Sequence, residues 1–231
     1  MILEAGCGVG AQTQIIAPKN LQSQFVSIDI SPESIAEAKI KIAKKGINNV
    51  SLNQANIFNL PFDDESFDHI FLCFVLEHLP NTTQALKELK RVLKTNGTIT
   101  VIEGDHGSTY FHPDSPKARK AVQCQVLLQQ QKGGDANIGR RLYPILASAN
   151  FEAIKVSPRQ VYVDDSKPEL VEGFTKNTFT AMIEGIAEDA ITQQLISRQE
   201  MQNGIDDLLK TAAGGGTFCY TFFKAVGMKT K

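Results

Sequence analysis

Within its first ten residues the chain reads MILEAGCGVG, three glycines alternating at Gly6, Gly8 and Gly10 behind a short apolar run. Glycine at that density suits neither a helix nor a strand interior, because each one gives up more conformational freedom on ordering than any other residue. The pattern fits a tight turn in which bare backbone approaches something that a Cβ would push away. MILEA is therefore expected to be a strand, the glycines a loop at its carboxyl end, and the residues after Gly10 a short helix. In an open α/β sheet, ligands lie at that end of the strands.

The next hundred residues keep the alternation that such a sheet demands. FVSIDI (25–30) is apolar and β-branched, as a buried parallel strand requires, and VSLNQA (50–55), FDHIFLCF (67–74) and TITVIE (98–103) read as three further strands. Ser31 and Pro32 open a helix whose inner face is Ile35, Ala38 and Ile42, with Gly46 as its cap. Asn81, with Gln84 three residues on, opens another, lined by Ala85, Leu86, Leu89, Val92 and Leu93 and expected to end at Asn96-Gly97. Five strands alternating with helices imply a mostly parallel, doubly wound α/β sheet.

Beyond residue 103 the pattern changes. Residues 115–131 and 139–149 are helix candidates, and FEAIKV is a sixth strand. Residues 167–213 are helical in pattern, with Phe179, Met182, Ile183 and Ile186 on one face expected to serve packing. Gly214-Gly215-Gly216 then breaks the chain before TFCYTFF, a last strand. The expected organisation is a single domain over 1–231. Residues 1–103 form its cofactor-binding half, 104–150 a helical connector and substrate region, and 167–213 a helical insertion.

Composition narrows the function classes. Across 231 residues, 24 Lys and Arg against 25 Asp and Glu give no electrostatic case for a nucleic-acid partner. Cys7, Cys73, Cys124 and Cys219 share no ligand spacing, which argues against a disulfide framework or a zinc site. No metal is expected. The apolar run IFLCFVL is too short to span a bilayer, so a cytoplasmic protein is expected.

Asp29 closes the second strand nineteen residues after Gly10, where an acid typically accepts both hydroxyl hydrogens of a ribose. Loop and acid together indicate an adenosine-containing cofactor. The loop by itself also fits the dinucleotide pattern G-x-G-x-x-A, since Ala11 follows Gly10.

Four segments in order, EAGCGVG, SIDIS, QANIFNLPFDDESFDHIFLCFVLEHL and ELKRVLKTNGTITVIEG, closely resemble the class I S-adenosylmethionine-dependent methyltransferases. The likeness is to the branch of ubiquinone and menaquinone biosynthesis enzymes and many small-molecule methyltransferases. It covers residues 1 to about 103 at motif level. The resemblance implies a Rossmann-like, seven-stranded sheet with an antiparallel last strand, and S-adenosyl-L-methionine as cofactor. It implies that Glu4, Gly6, Gly8 and Gly10 hold the methionine moiety, Asp29 the ribose, and Ile30 and Ile57 the flanks of the adenine. Asn56 stands where the family often has Asp, its carbonyl able to accept from the adenine amino group. Phe74 would lie beside the methionine part, and Thr95-Asn96-Gly97 replaces the usual Pro-Gly-Gly.

An activated methyl donor leaves the protein to align a nucleophile and, for oxygen or nitrogen acceptors, to take a proton. Polar groups past the fourth and fifth strands are the candidates: Glu77-His78 and Glu103-Gly104-Asp105-His106. His106 is the candidate base, with Asp105 or Glu103 to orient it. His78 is expected to pack, His69 to be a strand residue, and Cys7 to be a small spacer. HGSTYFHPDSP, with Tyr110, Phe111 and His112, fits either a substrate-facing loop or a connector. Arg140-Arg141 fits either an anion contact or a solvated pair. Because relatives carry a helical segment ahead of the first strand, a shortened start and weak cofactor binding are further expectations. The substrate would be a small molecule, of accepting atom and oligomeric context left open. A non-catalytic cofactor-binding protein and a nicotinamide-dependent reductase are the competing readings.

Overall fold

The computed structural model describes residues 1–230. In chain order it contains β1 (Ile2–Ala5), α1 (Thr13–Ile16), β2 (Phe25–Asp29), α2 (Pro32–Lys44), β3 (Val50–Gln54), β4 (Phe67–Cys73), α3 (Thr82–Val92) and β5 (Leu93–Gly104). These are followed by β6 (Tyr110–His112), α4 (Pro116–Gln131), α5 (Leu142–Ser148), β7 (Glu152–Val163) and α6 (Pro168–Leu170). A π-helical stretch, Val171–Thr180, leads to α7 (Ala181–Gly185), α8 (Ala187–Thr192), α9 (Arg198–Lys210) and β8 (Thr217–Met228). The chain divides into two compact units: Met1–Glu103 with Arg140–Ser157 and the residues from Phe223 onward, and Gly104–Gly139 with Pro158–Phe222.

In the first unit β1 lies between β2 and β4, β3 flanks β2 and β5 flanks β4, every one of these pairings parallel. β8 follows β5 in the order β3-β2-β1-β4-β5-β8 and also pairs with β7. It runs against β5: the Asn96 N–H donates to Lys229 O at 2.8 Å and the Lys229 N–H to Gly97 O at 2.9 Å. The doubly wound sheet with its antiparallel last strand is thus present. Leu3, Ile28, Ile70 and Ile99 are buried at its centre, where parallel strands must be apolar on both faces.

The helices start where their caps place them. Ser31 Oγ accepts from the Ser34 N–H at 3.0 Å, and Asn81 Oδ1 from the Gln84 N–H at 3.0 Å. Ile35, Ala38 and Ile42 are buried on α2, and Ala85, Leu86, Leu89 and Val92 on α3. The end of α3 differs from expectation. It stops at Val92, and Thr95-Asn96-Gly97 lies inside β5, where Asn96 takes φ 65° and the register against β4 shifts between Phe67 and His69. Asn tolerates left-handed geometry in a bulge as well as in a helix cap, so the dipeptide does not distinguish the two.

The second unit contains β6, a strand beyond the seven expected. Tyr110, Phe111 and His112 pair antiparallel with Cys219, Phe218 and Thr217, so this part of the ambiguous HGSTYFHPDSP segment is a sheet edge. Its core gathers Phe111, Ala118, Phe179, Ile183, Phe218 and Tyr220, which places the expected apolar face of the 167–213 segment in packing. α4 and α9 meet closely at Gly204, where an added Cβ would stand 2.7 Å from Lys117 O. Ser197 and Glu200 form a reciprocal cap at the start of α9. Among the described residues no helix is long and apolar enough to cross a membrane.

Candidate functional site

The three glycines adopt φ of +79°, +50° and +76°, a region that side chains rarely occupy. The turn is fixed from below: the Gly6 and Cys7 N–H groups both donate to Ile28 O, at 2.8 and 2.9 Å. It is also crowded. A Cβ on Gly6 would stand 2.5 Å from Val75 Cγ2, whereas one on Gly8 would meet nothing within 4 Å. The loop therefore has one side packed on the turn after β4 and open space at its middle glycine.

Asp29 joins this loop to the end of β2. Its Oδ2 accepts from the Gly8 N–H at 2.8 Å and its Oδ1 from the Ser31 N–H at 3.0 Å. Glu4, buried below, accepts through Oε2 from Thr13 Oγ1 and Ser27 Oγ, each at 2.6 Å. Burial raises the Glu4 pKa, and the Ser27 and Thr13 hydroxyls oppose that rise. Asn56 is exposed, its Oδ1 accepting from the Phe58 N–H at 3.0 Å. Phe74 takes φ 57°, its N–H on Ile102 O at 2.9 Å.

These groups surround one cavity of about 460 Å³. Its lining includes Glu4, Gly6, Gly8, Asp29, Ile30, Asn56, Ile57 and Phe74. Gly10 belongs to the same loop and closes its turn with an N–H bond to Cys7 O at 2.9 Å. Cys7, Cys73, Val75, His78 and Leu79 complete much of the wall. Burial pushes the thiols of Cys7 and Cys73 up to about 12, which leaves both neutral and makes neither a nucleophile. His78 Nε2 lies 3.2 Å from Glu77 Oε1, and that bond raises its pKa. His69 Nδ1 sits 2.7 Å from Thr98 Oγ1 in the sheet, its pKa lowered by burial.

His106 belongs to the second unit, in a turn His106–Ser108 after β5. It is buried, with Nδ1 2.9 Å from Tyr220 Oη and the two ring centroids 5.6 Å apart. It lines a small cavity of about 140 Å³ with Thr109, Phe111, Arg119 and Val122. Asp105 Oδ2 accepts from Ser108 Oγ at 2.7 Å, and Glu103 Oε1 accepts from the backbone of residues 75 and 76. Arg140 and Arg141 are exposed. Among the described residues no three His, Cys, Asp or Glu side chains stand together as a metal site.

Sequence reasoning missed Val75, Tyr220 and the hydroxyl pair on Glu4. Ser27 had a readable signal, a polar residue two before Asp29 in an otherwise apolar strand. Val75 and Tyr220 had none, being apolar or aromatic residues among others of their kind.

A family profile described as "Methyltransferase domain" matches residues 1–150. The ubiquinone/menaquinone biosynthesis C-methyltransferase of a Shewanella species is 32% identical over 168 residues, 71% of this chain and 62% of that protein. The chain spans about half the length of the curated relatives it matches. Among solved structures, a putative methyltransferase from Bacillus halodurans superposes with a TM-score of 0.63 at 16% identity, over 100% of this chain and 92% of that one. A Haemonchus contortus phosphoethanolamine N-methyltransferase, solved in complex with S-adenosyl-L-methionine, gives 0.59 at 18% identity over 100% and 48%.

Proposed function

Because the chain belongs to the methyltransferase-domain family, we propose that it transfers a methyl group from S-adenosylmethionine to an oxygen, nitrogen or carbon atom of a small molecule. One observation carries this reading: the Gly8 N–H on Asp29 Oδ2 at 2.8 Å joins the bare loop to the strand-end acid at the mouth of one cavity. The residues present fit the cofactor. Open space beside Gly8 admits an extended ligand against the backbone. Each Asp29 oxygen already accepts one N–H and keeps a lone pair for a ribose hydroxyl. Exposed Ile30 and half-buried Ile57 supply apolar flanks for adenine, and Asn56 a polar edge. Glu4, with Oε2 engaged by two hydroxyls, has Oε1 as acceptor for an ammonium group.

When bound, the cofactor supplies a sulfonium-activated methyl group. The chain's part is to hold the acceptor in line with the methyl group and to exclude water, and proximity supplies much of the rate. In this reading His106 takes the acceptor's proton where one must leave, with Tyr220 orienting the ring through Nδ1. Residence in the reducing cytoplasm belongs to the same reading, in keeping with four free cysteines.

The test is calorimetric titration with S-adenosylmethionine, S-adenosylhomocysteine and NAD. Micromolar binding of both sulfur compounds, lost in Asp29→Ala, is the expected result. Binding of NAD alone, or of none, overturns the reading. With a substrate in hand, His106→Ala should keep cofactor affinity while turnover falls about 10²-fold or more.

A further inference from the structure

The turn after β4 forms part of the cavity wall. It carries Phe74 at φ 57°, a conformation an aromatic residue rarely adopts, and then Val75, whose branched side chain fills the space denied to a Cβ on Gly6. A short turn in this geometry needs an anchor, and the anchor is Glu103 at the end of β5. Its Oε1 accepts from the Val75 N–H at 3.1 Å and the Leu76 N–H at 2.8 Å. The side chain is wholly buried, and Oε2 has no hydrogen-bond partner among the described residues.

A structural tie of this kind is made as well by an amide as by an acid, and an amide escapes the desolvation of a charge. The acid is therefore informative. Glu77 and His78 face the site from the turn, Cys73 from β4 and Glu4 from β1. Burial, reinforced by Glu77, pushes the Glu103 carboxyl up to about 8. Cys73, which lines the cavity, feels Glu103, Glu4 and Glu77 together. A cationic ligand in this cavity favours the ionised carboxyl, and an uncharged one does not.

We propose that Glu103 is a positioning residue of the cofactor pocket, its carboxyl holding the turn that presents Phe74 and Val75 and sensing the charge of the bound cofactor. The inference rests on the reading that this cavity takes a sulfonium cofactor. Binding of the sulfonium form then expels a proton from Glu103 to solvent, whereas the neutral thioether product expels less. Glu103 thereby distinguishes the two by charge, at a site of nearly the same shape.

The experiment is isothermal titration of the full chain with S-adenosylmethionine and S-adenosylhomocysteine between about pH 6.5 and 8.5, in buffers of different ionisation enthalpy. Wild type, Glu103→Gln and Glu103→Ala are compared, which cancels protons exchanged by the ligands' own amines. Glu103→Ala should weaken both ligands about tenfold or more. Glu103→Gln should restore Kd to within about threefold at neutral pH, yet lose the extra proton release that accompanies the sulfonium form. Proton release unchanged in Glu103→Gln, or Glu103→Ala binding as wild type does, overturns the inference. If Glu103→Ala does not fold, the Gln variant decides alone. Failure of wild type to bind either sulfur compound is a different result, which overturns the functional reading underneath and this inference with it.

Discussion

In the first unit glycine shapes the wall of a cavity; in the second it makes room for a neighbouring helix. Gly6 and Gly8 have positive φ at the edge of a cavity, and what matters there is a backbone path closed to other residues. Gly204 sits inside α9, and what matters is the missing Cβ, since Lys117 O and Ala121 Cβ already occupy its place. The first unit is built from short-range repeats of strand, turn and helix. The second is held by residues far apart in sequence, such as Phe111, Phe179 and Phe218. One sequence signal therefore has two physical meanings, and only its neighbours tell them apart.

The largest expected effect separates those meanings. Gly6→Ala introduces a strained φ and a clash with a stiff Val75 side chain, and should weaken S-adenosylmethionine binding about 100-fold by calorimetry, with Gly8→Ala milder. Gly204→Ala should leave that affinity alone and lower stability by about 2 kcal/mol, because backbone rather than a side-chain tip must give way. A denaturant midpoint shifted without a change of cofactor Kd is the signature.

The third prediction concerns pH. The folded carboxyl of Glu103 keeps its proton up to about 8, against an ordinary value of 4.5. Between those values the folded state binds more protons than the unfolded state, so this group's contribution is intact below the lower value and is lost as pH rises through the upper one. Glu103→Gln removes that loss. Its melting temperature should gain on wild type between about pH 5 and 8, by about 5 °C. Equal slopes in thermal melts would sink the assignment.

The smallest effect tests the second unit alone. Ser197→Ala removes a reciprocal cap at the start of α9 and should cost about 1 kcal/mol, with no change in cofactor binding.

The parallel part of the sheet was legible because its evidence is local. Ser31, Asn81 and the apolar faces of α2 and α3 announce elements within a few residues of themselves, and Asp29 stands at a fixed distance from the glycines. Thr95-Asn96-Gly97 misled because left-handed geometry is shared by helix caps and bulges, and only pairing with Lys229 decides between them. Tyr110–His112 was ambiguous for the same reason, its partner lying in β8. Glu103 was readable as an acid at a strand end, but its backbone partners at Val75 and Leu76 depend on how two strands lie side by side.

β8 has a consequence for how the chain is made. Every motif that carries the family resemblance has been translated by Glu103, yet β5 acquires its β8 partner only with residues as late as Lys229. At roughly 5–20 residues per second, the ribosome leaves the flank of β5 without that strand for several seconds or more. During that interval a bare parallel-sheet edge is exposed to other nascent chains. Until β8 arrives that edge keeps its unpaired backbone groups, since the register shift near Asn96 lies in the β4–β5 ladder on the other flank.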